Sequence, residues 1–380
     1  MKCPVCLSNN VEVIWQFNHI VPGSNFLYSE KNKALEITLG NIALTYCHNC
    51  GFLYNSSFSE ELCDYNSGEY NNDQTESKYF NQYLDDLVDE LSKKYKLNNK
   101  RIIEIGCGNG KFINKFMDCV CLGIDPALSK SYFSKDNSFI LKKGYASTND
   151  LYNKDFLLCR HTLEHIASPR DFIDEIFVNC KIPNLYFEIP RFGYLFENDA
   201  YNALTYEHCS WYSTKSIEIM FKDHGYSYNS VNKERFDTEY LSFELSKHRN
   251  SMLGQIDIQP KEVLLFCEKY SSYYRTLNQK IYEFFHLGKT VTVWGVAGKG
   301  VSLLTNINNS EHIPYAIDIN PRKSGMYVPK CGVQIYTPNA LLNSDQLLPD
   351  VVILTNRLYK NEIEKVVNNT FHTQVEYIFA

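Results

Sequence analysis

Four cysteines stand in two close pairs near the start of the chain. The pairs are C-P-V-C, with Cys3 and Cys6, and C-H-N-C, with Cys47 and Cys50. Four thiolates at this spacing close a tetrahedron around Zn²⁺, and a closed site of this kind is structural. A redox pair or chance clustering is the alternative, but redox C-x-x-C motifs occur singly beside a βαβ pattern. The spacing therefore predicts a structural zinc site.

A second pattern that can bind a small molecule is E-I-G-C-G-N-G, residues 104–110. Alternating glycines let the backbone pass close under a ligand and turn into a following helix. Asp125 follows the apolar run 120–124, and a carboxylate at the tip of a second strand is placed to hold two ribose hydroxyls. A glycine turn used only for packing is the alternative. The predicted contacts of an adenosine cofactor are Glu104, Gly106, Gly108, Gly110 and Asp125.

A third pattern, G-V-A-G-K-G at residues 295–300, also follows a strand-like run and opens a helix. Asp318 ends the next apolar run. These are marks of a nucleotide-binding βαβ unit, although Lys299 is not followed by the Ser or Thr of a P-loop. A purely structural unit is the alternative.

The elements that position these motifs follow from hydrophobic periodicity. Runs 11–17 and 42–46, with a turn at 22–25, indicate a small β-rich module. Apolar steps of three and four over 80–91 predict a helix. Buried-strand runs then alternate with helices, which predicts a mostly parallel sheet covered on both faces. The predicted strands are 102–105, 120–124, 156–159, 185–189, 239–245, 291–294, 315–319 and 351–355, and the predicted helices are 169–178, 213–222 and 261–285.

The fold class is therefore α/β, with two α/β units behind a small cysteine module. We expect a zinc-binding module at residues 1–57, a cofactor-binding domain at 58–250, a helical connector at 251–285 and a second α/β domain at 286–380. A chain of 380 residues has room for these units.

Composition narrows the class of protein further. The chain has 38 basic and 44 acidic residues, a net charge of −6, and the module at 1–57 has three lysines and three glutamates. Neither balance favours nucleic acid or anionic membrane as a partner. No run approaches the ~18 apolar residues of a membrane span. Thirteen cysteines, with no apolar signal before Cys3, indicate a reducing cytoplasm. We expect a cytoplasmic monomer with a small-molecule substrate.

The form E-x-G-x-G-x-G followed by an aspartate resembles class I S-adenosylmethionine-dependent methyltransferases more than nicotinamide enzymes. Residues 160–166, R-H-T-L-E-H-I, strengthen the resemblance, because a segment of this form after the fourth strand is familiar from that superfamily. The resemblance implies S-adenosylmethionine as the cofactor, a Rossmann-like domain around it, and His161 and Tyr70 as further contacts.

Over nearly its full length the chain resembles C-methyltransferases that act on nucleotide-linked deoxysugars. These have a four-cysteine module, a methyltransferase domain and a C-terminal Rossmann-like domain. Their segment Y-H-E-H-x-S-Y-[FY]-[ST] corresponds to T-Y-E-H-C-S-W-Y-S at residues 205–213, with Thr205 in place of tyrosine and Tyr206 in place of the common histidine. Their pattern D-x-N-P-x-K-x-G-x-x-x-P matches residues 318–329.

The resemblance implies methylation of the carbon alpha to a keto group of a nucleotide-activated sugar. A base must remove the proton there to give an enolate, and the imidazole of His208 suits that step. Glu207 would orient the base or hold a sugar hydroxyl, and Tyr206 or His165 would donate to the enolate oxygen. Lys299 and Asp318 would contact the substrate. No active-site metal is implied.

Several alternatives stay open on the residues themselves. An O- or N-methyltransferase acting on a sugar, a phospho-compound or a secondary metabolite has the same cofactor motif. A non-catalytic nucleotide-binding scaffold, or a zinc-ribbon partner of nucleic acid, is a second class. His165 in a strand-to-helix turn suits a packing role, and His208 beside Glu207 suits a surface ion pair.

Overall fold

The computed structural model describes residues 1–63, 65, 74–247 and 253–380, and its strands form three sheets. The strands are β1 (Val11–Ile20), β2 (Gly40–Cys47), β3 (Leu53–Asn55), β4 (Arg101–Ile105), β5 (Val120–Asp125), β6 (Tyr132–Phe133), β7 (Phe139–Lys143), β8 (Phe156–Arg160), β9 (Asn184–Pro190), β10 (Ser210–Trp211), β11 (Ser227–Arg235), β12 (Tyr240–Ser246), β13 (Val291–Trp294), β14 (Tyr315–Ile317), β15 (Gln334–Tyr336), β16 (Val351–Leu354) and β17 (Glu376–Phe379). The helices are α1 (Lys31–Leu35), α2 (Lys78–Tyr95), α3 (Pro169–Ile176), α4 (Phe192–Glu197), α5 (Thr214–Lys222), α6 (Pro260–His286), α7 (Gly298–Asn306), α8 (Pro338–Leu342) and α9 (Lys360–Phe371). None of these described helices combines the length and apolar character needed to cross a membrane.

The N-terminal sheet has the order β1-β2-β3-β10 and is antiparallel. Its first two strands are the predicted runs 11–17 and 42–46. The fourth strand comes from much later in the chain, because Ser210 and Trp211 pair with Tyr54 and Leu53. The sheet beside the cysteine pairs is thus completed by the segment that carries the predicted base. The predicted boundary at residue 57 therefore separates strands of one sheet.

The central sheet has the order β11-β12-β9-β8-β4-β5-β7-β6. Its inner strands β9, β8, β4, β5 and β7 are parallel, and antiparallel strands lie at both edges. The predicted strands 102–105, 120–124, 156–159 and 185–189 are confirmed as β4, β5, β8 and β9. Their carboxyl ends meet at one edge of the sheet, which is where open α/β sheets bind ligands.

One expectation about this sheet is wrong. The glycine motif at 104–110 leads into a short 3₁₀ turn, Ile113–Lys115, where we expected a helix. Only nine residues separate Gly110 from Val120, and a helix using them would span about 14 Å with no chain left to return to the sheet. Phe112, Ile113 and Phe116 are buried and fix the turn against the sheet.

The C-terminal sheet has the order β15-β14-β13-β16-β17, with all neighbouring strands parallel. The turn at 295–300 follows β13 and leads into α7, as predicted. The predicted strand 315–319 ends at Ile317, so Asp318 lies just beyond the strand tip.

The predicted helix 261–285 is α6, and it packs between the N-terminal and C-terminal sheets. Phe17 of β1 contacts Tyr270 with ring centroids 4.7 Å apart, and Tyr201 stacks on Phe266 at 4.9 Å. One apolar core continues from Phe17 through α6 to Val293 in β13. Because burial of each large apolar side chain stabilises the fold by roughly 1.5–3 kcal/mol, this core holds the sheets around a shared space.

Candidate functional site

A cavity of about 770 Å³ has walls from the N-terminal module, the central domain and the C-terminal domain. The predicted site residues in its wall are Glu104, Gly106, Gly108, Asp125, His161, His208, Lys299 and Asp318. The described lining residues do not include the other predicted ones, which are Gly110, His165, Tyr206 and Glu207. Tyr70 lies outside the described residues. The fold therefore brings both glycine motifs and His208 to a single space.

The glycine motif after β4 forms one end of the cavity. The backbone N–H of Gly108 and that of Ala127 each donate to the Asp125 carboxylate at 2.7 Å. Gly108 has a φ of +54°, and a Cβ there would meet nothing within 4 Å. At Gly106 a Cβ would lie 1.8 Å from Thr162 Oγ1. The motif thus fixes Asp125 and keeps an open backbone surface beside it.

Glu104 provides a buried acid at the same end. Its Oε2 atom has no hydrogen-bond partner among the described residues. Burial raises the pKa of Glu104 to about 8, and the nearby Arg160 charge opposes that shift. An unpartnered buried carboxyl next to a carboxylate for ribose hydroxyls fits a cationic nucleoside. S-adenosylmethionine carries both an ammonium group and a ribose, so Glu104, Gly108 and Asp125 fit it.

A buried network at the ends of β8 and β9 supports the middle of the cavity wall. Arg160 donates to Glu188 Oε1 from Nε at 3.0 Å and from Nη2 at 2.7 Å. Tyr83 and Tyr186 donate to Glu188 Oε2. Burial alone would raise the pKa of Glu188, but Arg160 and His161 hold it well below its usual range. Sequence reasoning missed these roles, and the only signal was a charge at the end of each apolar strand run.

His161 is held between two carboxylates. Its Nε2 lies 3.1 Å from Glu188 Oε1, and its Nδ1 lies 3.5 Å from Glu164 Oε1. Burial alone would lower its pKa, but these carboxylates raise the pKa of His161 to about 9. Its φ of +49° is in the left-handed region, which costs a non-glycine residue energy. His161 is therefore a fixed cation in the wall at neutral pH.

His208 lines the same cavity as the two glycine motifs. Its ring lies 5.1 Å from that of His165 in an edge-on arrangement. Burial lowers the pKa of His208 to about 3, with His165 adding to the shift and Glu164 opposing it. The imidazole is therefore neutral at physiological pH and has a free lone pair. Both Glu164 carboxylate oxygens are buried and lack a hydrogen-bond partner in the described part of the chain.

Glu164, His165 and His208 also present ligand atoms within 4.8 Å of one another. This is a spacing at which a metal ion can be held. The lone pair of His208 that would bind a metal is the same one that would accept a proton. The cluster can therefore either hold a cation or stabilise a newly formed imidazolium.

The remaining residues of the predicted relay lie behind the cavity wall. His165 Nδ1 is 2.9 Å from the hydroxyl of Tyr65. The Tyr206 hydroxyl accepts a hydrogen bond of 2.8 Å from the backbone N–H of Ser59, just beyond the N-terminal module. Burial raises the pKa of Glu207, whose carboxylate is occupied by donors from the turn at 22–25. The structure does not bring Tyr206 and Glu207 to the cavity surface.

The second glycine turn forms another part of the cavity wall. Lys299 Nζ lies 2.8 Å from Glu239 Oε1, across the boundary between the domains. The Asp318 carboxylate accepts from the backbone N–H groups of Val296 and Asn320, and from Lys323 Nζ at 2.9 Å. The Lys323 side chain is only 3% exposed. Both predicted substrate contacts thus line the cavity while paired with opposite charges of the protein.

The four paired cysteines lie together beside the N-terminal sheet. Their sulfur atoms all fall within 4.8 Å of one another. The Cys3 and Cys50 sulfurs are 3.7 Å apart, and those of Cys6 and Cys47 are 3.5 Å apart. Four thiolates at about 2.3 Å from Zn²⁺ in a tetrahedron lie about 3.8 Å apart. The donor set and its spacing fit Zn²⁺.

Comparison with known proteins identifies the two larger units. A family model described as a methyltransferase domain matches residues 76–231, and one described as a C-methyltransferase C-terminal domain matches residues 256–380. No curated protein matches the sequence.

Solved structures resemble part of the chain. Magnesium protoporphyrin IX methyltransferase from Synechocystis, solved with bound SAH, is 13% identical over 45% of this chain and 84% of its own, with a TM-score of 0.34. A putative S-adenosylmethionine-dependent methyltransferase from Listeria monocytogenes is 16% identical over 44% of this chain and 100% of its own, with a TM-score of 0.30.

The mixed α/β fold, the glycine motif with Asp125 and the matched domains define the class of protein. The chain is an S-adenosylmethionine-dependent methyltransferase. Its residues 256–380 are a C-methyltransferase C-terminal domain.

Proposed function

We propose that the enzyme methylates the carbon alpha to a keto group of a nucleotide-activated sugar, with His208 as the base. The supporting observation is that the His208 imidazole lines the same cavity as the cofactor motif and the C-terminal glycine turn. A carbon acceptor needs such a base, because an unactivated carbon does not attack a methyl group. Two ligands held in one cavity also supply the proximity that transfer requires.

The two glycine motifs would divide the ligands. Glu104, Gly108 and Asp125 would hold S-adenosylmethionine, which supplies the methyl group when bound. The turn at 295–300 in a second, Rossmann-like domain would enclose the nucleotide, and Lys299 would contact it. The volume of about 770 Å³ is within the roughly 300–1,000 Å³ of ligand pockets.

His208 would take the alpha proton of the acceptor on an imidazole nitrogen and become an imidazolium. Glu164 is placed to stabilise that cation, because its buried carboxylate has an oxygen within 4.8 Å of a ring nitrogen of His208. The electron pair of the broken C–H bond passes into the enolate. The enolate carbon would bond to the methyl group of the cofactor as the methyl–sulfur bond breaks, and the electron pair of that bond would remain on sulfur. Thr205 is buried in the wall, its hydroxyl has no hydrogen-bond partner among the described residues, and it would donate to the acceptor.

The decisive experiment compares His208→Gln with the wild-type enzyme. Purified protein is incubated with S-adenosylmethionine and a nucleoside-diphosphate 4-keto-6-deoxyhexose, and the mass of the product is measured by mass spectrometry. We expect the wild type to add one methyl group and the variant to be slower by about 10²–10⁴-fold, the usual contribution of a general base. Exchange of the alpha proton in D₂O without methyl donor isolates the base step and should fail in His208→Gln.

Two controls make this test specific. Binding of S-adenosylhomocysteine to His208→Gln should remain, which shows that the site is folded. His286→Gln alters an exposed histidine of α6 and should behave as wild type. Failure of the wild type with every keto sugar, while it methylates a hydroxyl or amine, would replace this proposal by O- or N-methylation. A His208→Gln variant that keeps full activity would exclude His208 as the base.

We also propose that Cys3, Cys6, Cys47 and Cys50 bind one structural Zn²⁺. The sulfur spacing supports this, and such a site contributes folding free energy. Elemental analysis of purified protein should find about one zinc per chain, and Cys47→Ser should lower both zinc content and thermal stability. A wild-type protein that is metal-free and equally stable in chelator would contradict the proposal.

A further inference from the structure

The turn at 22–25 of the N-terminal module reaches into the wall of the active-site cavity. Ser24 and Asn25 line the cavity, and both are almost fully buried. Ser24 Oγ donates to Glu207 Oε2 at 2.7 Å. Asn25 donates to the same carboxylate from Nδ2 at 3.2 Å and from its backbone N–H at 3.3 Å. Three donors of one turn therefore hold the carboxylate next in sequence to His208.

The other end of the Asn25 amide contacts the C-terminal domain. Asn25 Oδ1 accepts a hydrogen bond of 3.1 Å from the backbone N–H of Gly298, the first residue of α7. Gly298 precedes Lys299 in the chain. One planar amide thus links the segment that carries His208 to the turn that carries Lys299.

This link lies in the wall of the cavity where the acceptor would bind. Glu207 and Gly298 belong to different domains, and each is adjacent in sequence to a residue that lines the cavity. The amide has its donor and acceptor atoms fixed in one plane, so it sets the separation of the two segments as well as joining them. A misplacement of about 1 Å at a reacting centre costs on the order of 10²-fold in rate.

We propose that Asn25 is a positioning residue for the acceptor, which fixes the separation between His208 and the C-terminal glycine turn. The inference rests on the proposed function for the identity of the acceptor. The proposal also assigns a structural role to Glu207, because its carboxylate accepts the hydrogen bonds that hold the Ser24-Asn25 turn. The N-terminal module is then a wall of the acceptor site and not only a metal-stabilised appendage.

Steady-state kinetics of Asn25→Ala test the proposal. We expect the KM for the keto sugar to rise and kcat to fall, each by about tenfold or more because positioning is lost, while the KM for S-adenosylmethionine stays within about twofold. Ser24→Ala removes one donor to Glu207 and keeps the Gly298 link, so its effect should be smaller. In the double variant with Glu207→Gln, the effects on acceptor KM should be less than additive, because both residues act through one contact.

Two results would overturn the proposal. One is an Asn25→Ala variant whose acceptor KM and kcat both stay within about twofold of wild type. The other is a parallel loss of acceptor and S-adenosylhomocysteine binding, which would indicate a general defect of folding.

If the wild-type enzyme turns over no keto sugar, the proposed function is wrong. The link through Asn25 can then still be tested by amide hydrogen exchange. Asn25→Ala should speed exchange in the peptide that contains Gly298 and leave the peptide that contains Gly108 unchanged. An unchanged Gly298 peptide would overturn the link.

Discussion

The two glycine turns of the enzyme are alike in sequence and topology but differ in how their charges are satisfied. Each follows a central strand of a parallel sheet and faces an aspartate at the end of the neighbouring strand. Asp125 accepts from two backbone N–H groups. Asp318 accepts from two backbone N–H groups and also from the ammonium group of buried Lys323.

The strands that precede the two turns also differ in the charge that they carry. Glu104 stands two residues before the first glycine of its motif and has an oxygen without a partner among the described residues. The corresponding position of the second turn is Val293, which is fully buried. The first turn therefore leaves an acidic group open to a ligand, whereas the second pairs its aspartate with a lysine of the protein. A glycine turn with a strand-tip aspartate does not by itself make an adenosine site.

The largest expected effect is on stability at the second turn. Asp318→Ala leaves Lys323 buried without its partner, and removal of one member of a buried ion pair costs about 3–5 kcal/mol. Asp318→Ala combined with Lys323→Met should recover much of the thermal stability. Asp125→Ala leaves no buried lysine without its partner, so the midpoint temperature of its thermal unfolding should fall less. A larger loss in Asp125→Ala would reverse the comparison.

The next effect is on cofactor binding at the first turn. Asp125→Ala should weaken S-adenosylhomocysteine binding by about 100-fold, because hydrogen bonds to charged groups contribute about 1.5–3 kcal/mol each. Calorimetry on Asp318→Asn, at the equivalent position of the second turn, should give an affinity close to wild type. If both variants lose the cofactor alike, the two turns do not differ in the way described.

A smaller effect should appear in the pH dependence of cofactor binding. Glu104 has its pKa raised to about 8 by burial, so it holds a proton at neutral pH and must release it to pair with the ammonium group of the ligand. Affinity should therefore rise with pH between about 6.5 and 8, by up to tenfold per pH unit.

Glu104→Gln is the control for that titration. It cannot release a proton, so its affinity should be flat over the same range and weaker than wild type at the upper end. Proton release measured calorimetrically in two buffers should fall from the wild-type value towards zero. An unchanged pH dependence in Glu104→Gln would assign the titration to another group.

Local sequence pattern predicted the regular elements well, because apolar periodicity reports which face of a strand or helix is buried. It placed β4, β5, β8, β9 and α6 correctly, along with the residues at their ends. It failed where the structure depends on contacts between distant parts of the chain. The sequence at 22–25 predicted a turn and no contact. No pattern in the neighbouring residues indicates that Asn25 donates to Glu207, which is 182 residues away.

The same limit applies to the charges and to the helix that we expected after residue 110. The buried partner of Asp318 is Lys323, and lysine is rarely buried. Glycine alternation is compatible with a helix or a 3₁₀ turn, and the short return to β5 decides between them. The sequence could single out His208, Glu104 and Asp125, which line the cavity, because their motifs are contiguous or lie at strand tips.

The pairing of β10 with β3 has a consequence for synthesis of the chain. A chain emerging from the ribosome has β1, β2 and β3 long before Ser210 and Trp211 exist, so β3 is an open sheet edge throughout that interval. The cysteine pairs are already complete at that stage. The proposed zinc ion would therefore be captured before the sheet closes, and it would stabilise the nascent module until the central domain supplies the last strand.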